Sequence, residues 1–132
     1  MKHKHTARPK LYISKCIETC ACRYDGQKVN SDFVFKLMKF ADTVTECPET
    51  AIGLGTPRKP VRIVSDDAKM HGLRLIQPET GADFTEKMNV WAHSYLKKLG
   101  EVDGFVLKSK SPSSGFKDVK IYGKNGMMLT KK

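Results

Sequence analysis

A chain of 132 residues, 39% of them apolar, has the size and composition of one folded domain. Its 24 Lys and Arg outnumber 14 Asp and Glu, and the net charge of +10 suits polyanionic partners such as RNA, DNA or anionic lipid, although lysines scattered this evenly serve solubility equally well. No run approaches the roughly 18 apolar residues that a membrane-crossing helix needs, and MKHKHTARPK has no long apolar stretch behind it to act as a secretory signal; a cytoplasmic protein without a membrane partner is expected.

Residues 1–9 read as a basic, flexible leader. KLYIS, Lys10 to Ser14, alternates and carries β-branched and aromatic side chains, which predicts a short central strand. Lys15 to Asn30 shows no period, and Asp25-Gly26 within it marks a turn. SDFVFKLMKFA predicts a helix with Ser31 as N-cap and with Phe33, Val34, Leu37 and Phe40 or Ala41 along one face. DTVTEC, Asp42 to Cys47, is a second strand ending on a cysteine. PETAIGLGTPRKP, rich in proline and glycine, predicts an extended loop with one helical turn at Glu49 to Ile52. VRIV (Val61 to Val64) and LRLIQ (Leu73 to Gln77) predict an antiparallel β-hairpin.

DFTE, Asp83 to Glu86, has the spacing of a capping box, and Phe84, Met88, Trp91 or Ala92, Tyr95 and Leu99 mark the apolar face of the helix behind it. Gly100 suits its C-terminal end. GFVLKS (Gly104 to Ser109) is a further strand with SPSSG as its loop, and VKIYG (Val119 to Gly123) is the last. A domain over residues 10–124 with a short, loosely held tail at 125–132 is expected. The order of elements predicts the α/β class: a mostly parallel small sheet flanked by helices, Rossmann-like, with a β-hairpin.

Four cysteines are present, and Cys16, Cys20 and Cys22 crowd together ahead of Cys47. In a cytoplasmic chain such crowding suggests metal or redox chemistry more than a disulfide framework. Cys20-Ala-Cys22 is too tight for an ordinary zinc knuckle, and the spacing matches no common ferredoxin run, so spacing alone leaves the type of centre open. In a parallel sheet, Cys16, Cys47 and the Ser111–Ser114 turn would each follow the carboxyl end of a strand, on the edge where open α/β sheets bind ligands. GLGTPR is neither a dinucleotide fingerprint nor a Walker A loop.

The stretches SKCIETCACRYDG, CPETAIGLGTPRKPVRIV, LRLIQPETGADFTEKM and DGFVLKSKSPSSGFKDVKIYG occur in order. Through them the chain resembles the thiouracil desulfidase (TudS) domain family, long described only as a bacterial and archaeal domain of unknown function. The resemblance implies a [4Fe-4S] cluster held by three cysteines, with the fourth iron open to the sulfur of a thiolated pyrimidine base or nucleotide. Related domains, often fused to a second domain, act on 4-thiouridine in tRNA, so tRNA is a further implied partner. The ligand positions carry over to Cys16, Cys47 and Ser114. The assisting residues carry over to Glu49, as general base, and to Ser111, orienting water or the ring. Three further residues fall in matching stretches as candidates for substrate contact: Arg23, which could neutralise cluster or substrate charge or equally pair a carboxylate that holds the loop; Asp25, which also shapes its turn; and Arg58, which could contact a phosphate or the pyrimidine.

Ser114 departs from the pattern, which has cysteine there. A neutral hydroxyl is a poor exchange for a thiolate. Three readings stay open: an introduced Cys-to-Ser change, replacement of the ligand by Cys20 or Cys22, or a natural variant that has lost the cluster. The functional expectation is a [4Fe-4S]-dependent desulfidase impaired by Ser114. Its alternative is a cluster-less or zinc-stabilised nucleotide- or RNA-binding module without turnover.

Overall fold

The computed structural model describes residues 8–131 except 68, 70 and 117, with the side chains of 130 and 131 also left aside. Most of the expected leader thus lies outside the described residues. Its last two members are fixed: Arg8 donates to the carbonyls of Lys39 and Ala41, both at 3.0 Å, and the Pro9 carbonyl accepts from Asp42 N–H. The chain runs β1 (Lys10–Ser14), α1 (Asp32–Leu37), β2 (Asp42–Glu46), α2 (Pro48–Ala51), β3 (Arg62–Ser65), β4 (Arg74–Gln77), β5 (Ala82–Asp83), α3 (Thr85–Leu99), β6 (Gly104–Val106), β7 (Lys120–Gly123) and β8 (Met128–Lys131). Among the described residues no helix is long and apolar enough to cross a membrane.

β1 is central, as its alternation predicts. It pairs in parallel with β2 on one side and β6 on the other, with Leu11 opposite both Thr43 and Gly104. Ile13 is completely buried and joins Ile17 and Val34 in one apolar cluster. The parallel arrangement is what brings the carboxyl ends of three strands together, because each return to the sheet requires a crossover.

The remaining strands form a separate five-stranded mixed sheet, β5-β4-β3-β7-β8. Only β3 and β7 are parallel within it; β3–β4, β4–β5 and β7–β8 are antiparallel. A mostly parallel single sheet is therefore corrected to a small all-parallel sheet beside a mixed one. The reason is connection length: short links between successive strands leave no room for a crossover and force antiparallel pairing. The tail expected after Asn125 contributes β8. Its turn is Asn125-Gly126, with Gly126 at φ 82° and Asn125 Oδ1 accepting from Met127 N–H at 3.0 Å. Asn-Gly is a strong hairpin signal, and it was legible.

Ser31 caps α1 as expected, its Oγ accepting from Val34 N–H at 3.2 Å. The helix ends at Leu37, so it presents one narrow stripe. Val34 and Ala41 are buried, whereas Phe33 and Phe40, expected on the same face, are 71% and 72% exposed. α3 packs Met88 and Trp91 onto Ile52, Val61 and Leu75 in a second apolar cluster. Trp91 stacks on Tyr95 at 4.8 Å and Tyr95 meets Tyr12 edge-on at 6.1 Å, which ties α3 to β1.

The capping box does not close at Asp83–Glu86. Asp83 Oδ1 accepts from the Thr85 amide and hydroxyl at 2.9 and 2.6 Å, but Glu86 turns outward to the Arg74 guanidinium instead of reaching back. Arg74, on the neighbouring strand, gains two carboxylates this way. The Thr85 hydroxyl and Arg74 hold the Asp83 carboxyl down at about 2, from 3.8. A folded value below the unfolded one means stabilisation that is present above pH 3.8 and lost as pH falls toward 2. Asp83→Asn is therefore expected to flatten the stability–pH profile across that window while leaving its shape near neutrality unchanged, as read by urea unfolding at stepped pH.

Candidate functional site

Three strand ends build the site. At the end of β1, the buried Ser14 hydroxyl accepts from Lys108 N–H at 2.9 Å and Lys15 N–H donates to the Glu46 carbonyl at 3.0 Å, which locks the ends of β1, β2 and the segment after β6 together. Cys16 follows directly. Cys47 sits at the N-cap of α2 with extended backbone (φ −121°), and Pro48, whose missing N–H costs nothing at a first helical position, starts the turn that carries Glu49. After β6, the Ser111 carbonyl accepts from Gly115 N–H at 2.8 Å and the Ser111 hydroxyl from Ser114 N–H at 3.2 Å, closing the serine turn. A Cβ on Gly115 would lie 2.6 Å from the Ser111 carbonyl oxygen, so only glycine lets the turn close.

These pieces enclose a cavity of ≈250 Å³. Cys16, Cys22 and Cys47 line it, with Glu49, Arg58 and the Ser111–Ser114 turn; Lys15, Arg23, Lys108 and Lys110 add cationic groups. Arg58 is the best-anchored polar side chain. Its Nη1 donates to the carbonyls of Cys22 and Gly55 at 2.8 and 3.1 Å, its Nη2 lies 3.4 Å from Glu49 Oε2, and its backbone N–H donates to the Tyr24 carbonyl at 2.8 Å. The Arg58 side chain is 3% exposed, and Nε has no partner among the described residues.

The thiols stand close enough to feel one another. Cys47 Sγ points at the Cys22 carbonyl oxygen, 3.9 Å away. Burial, then the neighbouring Cys47, pushes the Cys16 thiol up, while Lys108 and Arg23 pull it partly back. Cys22 is raised further, first by burial and then by contact with Cys20 and Cys47. Left to themselves Cys16 and Cys22 are protonated thiols; a bound cation would be needed to draw out their thiolates.

Of the residues singled out in the sequence, Cys16, Cys22, Cys47, Glu49, Arg23, Arg58, Ser111 and Ser114 meet at this cavity, and Cys20 and Asp25 do not line it. Asp25 is occupied in shaping its own turn: Oδ1 accepts from Gln27 N–H at 3.0 Å and Oδ2 faces Arg23 at 3.9 Å. Ser113 was missed. It donates to Glu49 Oε2 at 3.3 Å, and the repeated serines of SPSSG were the only hint. Lys108 and Lys110, in alternate positions ahead of that turn, were also overlooked.

Fold and site together define an α/β domain with a thiol-, hydroxyl- and carboxylate-lined cavity at the carboxyl edge of a parallel sheet. A family model described as 2-thiouracil desulfurase matches residues 11–132. The uncharacterized protein YbbK of Bacillus subtilis (strain 168) is 31% identical over 109 residues, covering 80% of this chain and 72% of that protein. A solved [4Fe-4S]-dependent thiouracil desulfidase, TudS, is similar at a TM-score of 0.62 and 29% identity over 89% of this chain and 73% of its own. The chain belongs to the 2-thiouracil desulfurase family.

The cavity suits a cluster like the relative's in its charge but not in its donors. The cationic lining suits an anionic centre, and an orphaned guanidinium N–H beside the cavity is what such a centre would satisfy. The donor set does not fit. Ser114 offers a hydroxyl already 3.1 Å from that of Ser111, and among the described residues no three His, Cys, Asp or Glu side chains are spaced to hold a metal ion. Because the serine turn depends on backbone closure, Gly115→Ala is expected to open it, costing about 1–3 kcal/mol of stability by overpacking and disordering Ser111–Ser114, as checked by urea unfolding and amide hydrogen exchange.

Proposed function

We propose that the cavity is a desulfuration site for a thiolated pyrimidine, base or nucleotide, replacing C=S by C=O with release of sulfide, and that Ser114 lowers its turnover by removing one cluster thiolate. The observation that supports this reading is the convergence of Cys16, Cys47, Glu49 and the serine turn on one cavity in a chain of this family. The reaction consumes water and releases hydrogen sulfide with no net redox change. Glu49 takes a proton from the attacking water and returns one to the departing sulfur, a role in which a positioned carboxylate contributes about 10²–10⁴-fold. Ser111 orients the water or the ring, and the apolar surface of Val61 and Pro60 restricts access of bulk water. Lys15, Lys108 and Lys110 favour substrates bearing phosphate, a free nucleotide or a thiolated tRNA. With Ser114 in place, no step is assigned to a cluster.

The hydroxyl-bonded state of Ser114 favours one second reading, a cluster-less nucleotide- or RNA-binding module. It predicts binding that weakens as salt rises, without sulfide release.

The deciding comparison is wild type beside Ser114→Cys, both reconstituted anaerobically with iron and sulfide. The variant is expected to take up a full [4Fe-4S] complement, seen as iron content and broad visible absorbance, and to release sulfide from thiouracil or a 4-thiouridine nucleotide, with the wild type lower on both counts. A fully loaded Ser114→Cys protein that releases no sulfide from either substrate would discard the desulfidase reading. In the protein that turns over, Glu49→Gln is expected to lower kcat by about 10²–10⁴-fold, measured from the loss of thiocarbonyl absorbance.

A further inference from the structure

Glu49 has one oxygen already committed. Oε2 lies 3.4 Å from Arg58 Nη2 and accepts the Ser113 hydroxyl at 3.3 Å. Neither partner is free to drift. Arg58 is pinned by the Cys22 and Gly55 carbonyls and by its own N–H to Tyr24. Ser113 is pinned by the Ser111 hydroxyl at 3.3 Å, which in turn meets the Ser114 hydroxyl at 3.1 Å and the Ser114 amide at 3.2 Å.

The direction of these bonds follows from the chemistry of the groups. A carboxylate only accepts, so Ser113 spends its proton on Glu49. Ser113 then accepts from Ser111, whose single proton is used in that bond. Ser111 consequently accepts twice, from the amide and from the hydroxyl of Ser114. The row runs Ser114 to Ser111 to Ser113 to Glu49 with every proton pointing toward the carboxylate, and it leaves Ser114 with lone pairs but no proton for the cavity.

We propose that Arg58 and Ser113 are positioning residues that fix Glu49 through Oε2, so that Oε1 is the oxygen presented for proton transfer, and that Ser114 heads the hydroxyl row supporting them. Arg58 acts through Glu49 and the loop carbonyls, not as a direct substrate contact. The kinetic part of this inference rests on the desulfidase reading above; the clamp itself does not.

Two measurements keep the parts separable. Urea unfolding of Arg58→Met, Arg58→Lys, Ser113→Ala, Glu49→Ala and the corresponding doubles with Glu49→Ala should give non-additive costs, each partner's loss mattering less once the accepting oxygens are gone. Additive costs for both pairs overturn the clamp. Kinetics in the protein that turns over should show Ser113→Ala lowering kcat about tenfold with KM unchanged, as for loss of roughly one hydrogen bond's worth of transition-state positioning, and Ser113→Thr restoring it. A change confined to KM, or a threonine variant as impaired as alanine, overturns the positioning role. If neither wild type nor Ser114→Cys turns over any thiolated pyrimidine, the desulfidase reading and its kinetic arm are rejected, and the unfolding cycles still decide the clamp.

Discussion

One buried guanidinium holds the functional end of this molecule together. Arg58 bonds backbone carbonyls of the loop after β1 and of its own loop, and it faces the carboxylate on α2. Those segments have little regular structure of their own, so their carbonyls would otherwise turn to water. Hydrogen bonds to a charged donor are worth more than neutral ones, about 1.5–3 kcal/mol each, which is enough to organise loops that apolar packing does not reach. Arginine suits this better than lysine because its planar fork can serve several acceptors at fixed angles.

The guanidinium works only because the parallel sheet has already brought its partners near. β1 fixes Cys16 and the loop through Cys22, β2 delivers Cys47 and Glu49, and β6 leads to the serine turn. The cavity is thus a product of strand direction first and of polar clamping second. Its two chemical characters follow: thiols at Cys16 and Cys22 whose ionisation is disfavoured by burial first and by neighbouring sulfur second, and a row of hydroxyls aligned toward one carboxylate. Ser114 belongs to the second group by its bonds, although its position in the turn is the one the family resemblance assigns to the first. The turn suits a serine there because Ser111 offers partners to both its hydroxyl and its amide.

Much of this was readable in the residues. The alternation of KLYIS, the Ser31 cap, the long apolar stripe of α3 and the glycine ending it all correspond to observed elements. Asn125-Gly126 announced β8 and was passed over. The capping box failed because Arg74, distant in sequence, competes for Glu86. The aromatic face of α1 failed because periodicity says which residues share a side, not whether anything packs against that side. Arg58 was singled out, but as a substrate contact, and Ser113 was not singled out at all; their partners lie on other loops, and no spacing rule encodes them.

By itself the sequence determined local conformation and the inventory of reactive groups: where strands and helices begin, which residue types are clustered, and the serine where a thiolate was expected. These depend on sterics and periodicity within a few residues of chain. Only the tertiary structure decided that the strands divide into two sheets, that three thiols but not Cys20 line the cavity, and that Arg58 and Ser113 converge on one oxygen of Glu49. Such outcomes depend on which distant groups compete for the same donor or the same space, and that competition exists only once the chain has closed on itself.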